Sequence, residues 1–267
     1  MPVISVILTT YERRGPLARA LTSVLAQTLT DREVIVVDDG STDGTAEFLE
    51  TQPVTSIRIA HSGNPAVARN AGLPGARGEL ITFLDSDDVW QPTALTELAG
   101  ALLQHPDAGF AYCDYQPQVS SMPKSAGAID IFDPLLRTDF LVTGGVLIRR
   151  SLADAVGAFD PRCSPAEDWD YWLRMAARAR GAYVPASLIS IDSPPDSLSR
   201  APGGAIYAGN VRVMRKALRW CLTNRPASVR LARECLRRNL LASARYHRRH
   251  RAFGRSVRDL VMVARGR

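Results

Sequence analysis

No run of apolar residues in this sequence approaches the ~18 that a membrane-spanning helix needs, so it offers no transmembrane candidate. Cysteine is scarce. Cys113, Cys163, Cys221 and Cys235 form neither a CxxC pair nor a metal-site spacing, and the expectation is reduced thiols in a cytoplasmic protein. The opening residues, Met1-Pro2-Val3-Ile4-Ser5-Val6, lack a basic leader and read as a strand, so no signal peptide is expected. His61, His105, His247 and His250 show no catalytic pairing, and there is no internal repeat or low-complexity tract. What is present is globular: 46% apolar and 22% charged residues exclude a disordered chain. The 267 residues suffice for one α/β domain and an appendage.

The net charge of +6 conceals two halves of opposite sign. Residues 211–267 hold 17 Lys and Arg against two acids, Glu234 and Asp259; residues 1–210 hold 16 against 25. An acidic body thus precedes a basic, helix-patterned tail, which also carries Leu, Val, Trp220 and Phe253. That combination predicts docking of 211–267 on an anionic membrane surface. A solvated basic face packed on the body is the competing expectation.

The chain is organised around Leu80-Ile81-Thr82-Phe83-Leu84-Asp85-Ser86-Asp87-Asp88. The apolar part has the composition of a buried strand. The carboxylates fall at its C-terminal end, where open α/β sheets bind ligands. Three like charges so close repel one another, and a divalent cation such as Mg²⁺ or Mn²⁺ would relieve that repulsion. Taken alone, the stretch reads equally as a solvated acidic turn.

Around it the pattern alternates. Strands are expected at 3–8, 33–37 and 54–60, and helices at about 16–27, 44–50 (with Asp43 as N-cap) and from Pro65 behind an Asn64 N-cap. Strand–helix alternation predicts a doubly wound, mainly parallel sheet with Asp38/Asp39 and Asp85/Asp87 on one edge. Pro92 opens a helix with Leu95, Leu98 and Leu102, and 109–113 reads as a short strand. Residues 114–133 read as irregular, 142–148 as a strand interrupted by Gly144-Gly145, and 167–174 as the start of a helix. Residues 192–204 read as a loop or lid, and helices resume over 205–222, 227–243 and less clearly to 263. The expected division is an α/β body over 1–204, itself divided near residue 113, then a basic helical extension over 205–267.

Five motifs occur in order: Ile4-Ser5-Val6-Ile7-Leu8-Thr9-Thr10-Tyr11, Val36-Val37-Asp38-Asp39-Gly40-Ser41, Ala68-Arg69-Asn70, the DXD pattern Asp85-Ser86-Asp87, and Glu167-Asp168-Trp169-Asp170-Tyr171-Trp172. Together they resemble a family 2 inverting glycosyltransferase of the GT-A fold, over roughly residues 3–190. The resemblance implies a nucleotide-diphosphate sugar donor, bound by the half to about 113, and a hydroxyl acceptor, with lipid-linked hydroxyls among the options, met by the half beyond, in polysaccharide, glycolipid or other glycoconjugate synthesis. It further implies that Thr9, Tyr11 and Glu12 wrap the nucleotide and that Asp39 meets the base. Arg69 would lie near the nucleotide, and Asp85 and Ser86 beside the ribose or a metal-bound water. Asp87 would hold Mn²⁺ or Mg²⁺, and Asp168 would be the general base. Gly144, Gly145, Glu167 and Trp169 are acceptor-side candidates, although Trp169 reads more readily as packing. The expected location is cytoplasmic, with peripheral contact at the inner face of the membrane as an option.

One departure stands out. Members of this family often carry a His after the last core strand, and here Ser190-Ile191-Asp192-Ser193-Pro194-Pro195-Asp196 has none. Asp192 is the available oxygen ligand. Two other readings stay open: a nucleotide-binding module with degenerate catalysis, and a nucleic-acid-binding protein. Against the second, the basic tail lacks an RNA-binding motif and is poor in aromatics.

Overall fold

The structure is a computed structural model that describes residues 3–117, 123–192, 204–250 and 253–264. Its centre is an eight-stranded sheet made of β1 (Ile4–Thr10), β2 (Arg32–Asp38), β3 (Thr55–Arg58), β4 (Leu80–Asp85), β5 (Val89–Trp90), β6 (Ala108–Gln116), β7 (Val146–Arg149) and β8 (Arg180–Ser190). The order is β3-β2-β1-β4-β7-β6-β8-β5. Four of the seven strand pairings are parallel, and the antiparallel ones join β4 to β7, β6 to β7 and β5 to β8. The expected mainly parallel, doubly wound sheet is therefore present, with β7 reversed at its middle.

The apolar run of β1 is explained by burial on both faces. Ile4, Val6 and Leu8 meet one apolar layer with Leu17, Leu21 and Val24 of α1 (Arg14–Leu25) and Leu95, Leu98 and Leu102 of α4 (Ala94–Gln104). Ile7 points to the opposite layer. There Ala66 and Ala68 of α3 (Pro65–Gly72) pack near Ile35, Val37 and Phe83. The short α2 (Thr45–Glu50) starts behind Gly44, not Asp43. Asp43 still serves that end: its carboxylate accepts from the Thr45 amide at 3.2 Å and from the Arg14 amide at 2.9 Å.

The strand order reverses between β1 and β4. Thr9 of β1 sits opposite Val37 on one side and Asp85 on the other, while Thr10 faces Asp38. Both acidic pairs thus leave the sheet at one edge, at the switch point where such sheets open a crevice.

Three segments differ from the sequence expectation. Asp114–Gln116 extends β6, and Phe132–Arg137 forms a short helix, α5, where 114–133 reads as irregular. β8 escapes the sequence pattern because Pro185 interrupts it. The β6–β8 pairing jumps from Cys113↔Val184 to Asp114↔Ser187, so a bulge absorbs the proline. The expected strand over 142–148 begins only at Val146, after a tight turn at Thr143–Gly145. Most of the expected lid at 192–204 lies outside the described residues.

Helices α6 (Arg150–Val156) and α7 (Glu167–Ala176) complete the body, and α8 (Ala205–Asn224), α9 (Val229–Arg249) and α10 (Phe253–Ala264) follow. Met214, Ala217 and Cys221 of α8 and Leu236 and Leu240 of α9 belong to the same apolar layer as β7 and α7. Lys216 also reaches the body, placing its ammonium 2.7 Å from both Asp160 and Asp170. All four cysteines are buried and free.

Gly144 is buried, and a side chain there would meet Ile189 at 2.3 Å and Leu84 at 2.7 Å. Its carbonyl accepts from the Trp90 indole at 2.7 Å. The glycine thus lets the turn enter between β4 and β8. Gly144→Ala is expected to cost about 1–3 kcal/mol through overpacking, seen as a lower thermal unfolding midpoint with an unchanged far-UV spectrum.

Candidate functional site

The switch point opens into a cleft of about 770 Å³. Thr9, Tyr11, Glu12, Asp39, Arg69, Asp85, Ser86, Asp87, Glu167 and Asp168 all line it. Residues scattered over 160 positions of sequence thus share one wall-to-wall site. Gly144, Gly145 and Trp169 do not line it; their neighbours Val142 and Thr143 do. Trp169 is buried and donates its indole N–H to the Leu135 carbonyl at 2.8 Å, so its role is packing, as Gly144's is close approach. These three acceptor-side candidates are therefore not part of the cleft wall, because each is fixed inside the core.

The loops after β1 and β2 brace each other. The Asp38 carboxylate accepts from the Ser41 amide at 2.9 Å and closes a turn. Ser41 Oγ in turn accepts from the Glu12 amide at 2.9 Å. Glu12 adopts φ 50°, a conformation uncommon for a non-glycine residue. Its carboxylate accepts from the Thr42 amide at 2.7 Å and hydroxyl at 2.9 Å. Glu12 is thus committed to holding the loop.

Asp39 reaches across to a third loop. Its two carboxylate oxygens accept from the Ser62 amide at 2.8 Å and the Gly63 amide at 3.0 Å, and His61 Nδ1 lies 3.2 Å away. The His61 ring stacks on half-exposed Tyr11 at a centroid distance of 3.9 Å. The sequence gives no sign of His61, which becomes legible only when β3 pairs alongside β2 and brings the following loop to Asp39.

Arg69 joins the two halves of the cleft. It is buried and donates to Asp85 at 2.8 Å and to Glu167 at 2.7 Å, from the ends of β4 and the start of α7. Burial alone would lower its pKa, but Asp85, Glu167 and Asp168 together raise it above the ordinary guanidinium value. Phe159 lies beneath it, 5.5 Å from the guanidinium carbon.

The acidic turn is short of positive charge. Arg13 pairs with Asp87. Even so, burial and the adjacent Asp85 raise the Asp87 carboxyl. Burial, with Asp85, Asp87 and Asp192 nearby, pushes Asp88 up to about 9. Asp88 accepts from the Asp192 backbone amide, which brings the segment lacking the expected histidine to this turn. The Asp192 carboxylate lies 3.5 Å from Arg19. An all-oxygen donor set with unrelieved repulsion fits a hard divalent cation. Among the described residues, the three-ligand group that lies within 4.8 Å is a different one, Asp160, Cys163 and Asp170. Lys216 occupies that position with its ammonium group, so it does not need a metal.

Asp168 opens the second half of the site. Its carboxylate accepts from the Trp169 amide at 2.7 Å at the start of α7. A helix N-terminus favours the ionised form, but burial, followed by the neighbouring Glu167, outweighs it and pushes Asp168 up to about 7, against the pull of Arg69. Asp139 faces the same cleft. Desolvation and the Asp168 charge raise its carboxyl well above the usual range. Asp139 lies beyond residue 113, where sequence pattern does not single it out, since a lone acid outside a clear element has no distinguishing neighbour.

The comparisons with known proteins agree with this layout. Solved structures of similar fold include Staphylococcus aureus TarS, with a TM-score of 0.71 and 22% identity over 91% of this chain and 43% of that one. Another is the Pyrobaculum calidifontis mannosyltransferase in complex with GDP-Man and Mn²⁺, with a TM-score of 0.65 and 21% identity over 98% of this chain and 75% of that one. These likenesses show the GT-A fold. By sequence, the chain is 33% identical over 174 residues to an uncharacterized Nostoc glycosyltransferase, covering 59% of this chain and 54% of the relative. It is 28% identical over 196 residues to the putative teichuronic acid biosynthesis glycosyltransferase TuaG of Bacillus subtilis, covering 68% and 75%. It therefore spans about half the length of the first relative and three-quarters of the second. Because the model described as glycosyl transferase family 2 matches residues 5–154, more than half of its length, this chain belongs to that glycosyltransferase family.

Proposed function

We propose that this glycosyltransferase moves a sugar from a nucleotide-diphosphate donor to an acceptor hydroxyl with inversion of configuration. The observation that carries the reading is a single cleft with an electron-rich carboxylate turn at Asp85–Asp88 and a proton acceptor of matched strength at Asp168. Structures similar in fold are of TarS bound to UDP-GlcNAc and a mannosyltransferase bound to GDP-Man and Mn²⁺, which supports this donor class. Relatives named for teichuronic acid and succinoglycan biosynthesis support an acceptor in cell-surface polysaccharide or another glycoconjugate.

In this reading Thr9, Tyr11 and Asp39 border the nucleotide, and the Tyr11–His61 stack offers an aromatic face beside it. Asp87 would hold Mn²⁺ or Mg²⁺, with Asp85 and Ser86 alongside. A divalent cation bound there supplies Lewis-acid stabilisation of the departing diphosphate. Glu12 and Arg69 act one step back: Glu12 fixes the loop that carries Tyr11, and Arg69 fixes Asp85 relative to Glu167. An acceptor hydroxyl is a weak nucleophile until its proton is taken. Asp168 takes that proton. Its raised pKa makes it a stronger base than an ordinary aspartate while leaving a large ionised fraction at neutral pH. A base on one side of the anomeric carbon and the leaving group on the other give one in-line displacement, hence inversion.

Asp168→Asn keeps the shape and removes the proton acceptor. Transfer is expected to fall by about 10²–10⁴-fold, with donor affinity nearly unchanged. Below its pKa Asp168 is protonated and cannot accept a proton, so the wild-type rate should fall as pH drops through about 7. Near-normal transfer by the Asn variant would move the base elsewhere.

Asp87→Ala is expected to abolish Mn²⁺-dependent binding of UDP or GDP by calorimetry while the chain stays folded. Equal wild-type affinity in EDTA and in Mn²⁺ would contradict the metal assignment. A chain that binds donor but neither transfers nor hydrolyses it would favour the degenerate module.

A further inference from the structure

We propose that α9 and α10 form a docking surface for an anionic lipid bilayer. This surface is independent of the transfer reaction and is built where α10 sits on α9. Helices of globular proteins turn their apolar residues inward and their polar residues outward. Among the described side chains α10 departs from this in part: Met262 and Val263 turn inward, but polar residues are buried beside them and two aliphatic residues are left outside. Ser256 and Asp259 are buried, with Ser256 donating to the Ala244 carbonyl at 3.0 Å and Asp259 accepting from Ser243 at 2.6 Å. Leu260 and Val261 are left 46% and 41% exposed, and Arg255 and Arg258 are exposed with them. The helix is thus held by these polar contacts together with the half-buried Met262 and Val263, which pack on the apolar layer that α9 shares, and it presents Leu260, Val261 and two cations to the outside.

The adjoining α9 repeats the charge on a longer scale. Arg230, Arg233, Arg237, Arg245, Arg248 and Arg249 are all exposed. At ~100° per residue they fall on one half of the helix, opposite Leu236, Asn239 and Ser243. Arg237, Arg238 and Arg245 also border a shallow notch of about 250 Å³ with Leu241. Along this stripe Glu234 is the acid, paired with Arg230 at 3.1 Å. Arg238 is tethered to the Arg137 carbonyl.

Cations beside exposed aliphatic residues match one partner chemistry closely. Anionic headgroups meet the arginines, while leucine and valine enter the headgroup–acyl boundary. A bilayer suits a long, repetitive charge stripe, because a fluid headgroup array needs no register with it. No helix among the described residues is long and apolar enough to cross a membrane, so the contact would be peripheral. A nucleic acid would use the arginines but leave Leu260 and Val261 unexplained.

The test is vesicle co-flotation of the full chain. Vesicles of phosphatidylcholine alone are compared with vesicles containing about one-third phosphatidylglycerol, at low and raised salt. Binding is expected to the anionic vesicles only, and to weaken with salt. The double variant Leu260→Asp, Val261→Asp and, separately, Arg237→Glu, Arg245→Glu should each lower binding about tenfold or more, with thermal unfolding unchanged. No flotation of the wild-type chain on anionic vesicles at low salt would overturn the proposal. So would an aliphatic variant that floats like wild type, which would reduce the surface to nonspecific charge. A salt-sensitive gel shift with RNA in the absence of vesicle binding would assign the arginines to nucleic acid. Concentration-dependent dimerisation abolished by the Leu260/Val261 change, again without vesicle binding, would assign the face to a second copy of this chain.

Discussion

A buried guanidinium cannot stand alone in an apolar interior, and Arg69 is held in one by two carboxylates. Its fork spans Asp85, on the strand that ends in the acidic turn, and Glu167, at the start of the helix that carries Asp168. Removing Arg69 would leave the buried Glu167 without its counter-charge, at a cost of about 3–5 kcal/mol. The pair of contacts therefore fixes the distance across the cleft between the Asp85–Asp88 turn and the start of α7. The same charges set the chemistry. Arg69 keeps Asp168 from rising further, while Glu167 raises it. An aspartate that is a useful base near neutral pH results from this opposition.

The rest of the fold presents that fork. β1 lies between β2 and β4, so the loops carrying Tyr11, Asp39 and Asp85 emerge side by side. The reversed β7 and the turn at Gly144 close the sheet beneath them. The C-terminal helices contribute to the same apolar layer as α7, with Lys216 neutralising Asp160 and Asp170. Its basic outer surface is therefore presented by a segment anchored in the core.

The nucleotide half was legible because its signals are local. Apolar runs of strand length ending in Asp38-Asp39 or Asp85-Ser86-Asp87 announce both an element and its chemistry. Asn64-Pro65 announces a helix start, and the Asn64 side chain accepts from the Ala66 amide as expected of an N-cap. The acceptor half was less legible because its signals are long-range. Pro185 masks β8, whose existence depends on a bulge against β6. The positions of Asp139 and His61 follow from strand pairing, which leaves no mark on their immediate neighbours. Trp169 and Gly144-Gly145 resemble ligand-facing residues in sequence, and only packing distinguishes an aromatic or a glycine in the core from one lining a cleft.

The central claim is that Asp168 is the base and that Glu167 tunes it from the Arg69 fork. It is tested most directly by the pH dependence of transfer in the wild type and in Glu167→Gln. The glutamine carbonyl retains an acceptor for Arg69 but removes the negative charge that raises Asp168. The account predicts an active variant whose acidic limb lies at lower pH than the wild type's. A limb that does not move would contradict the tuning, and loss of transfer at every pH would make Glu167 the base.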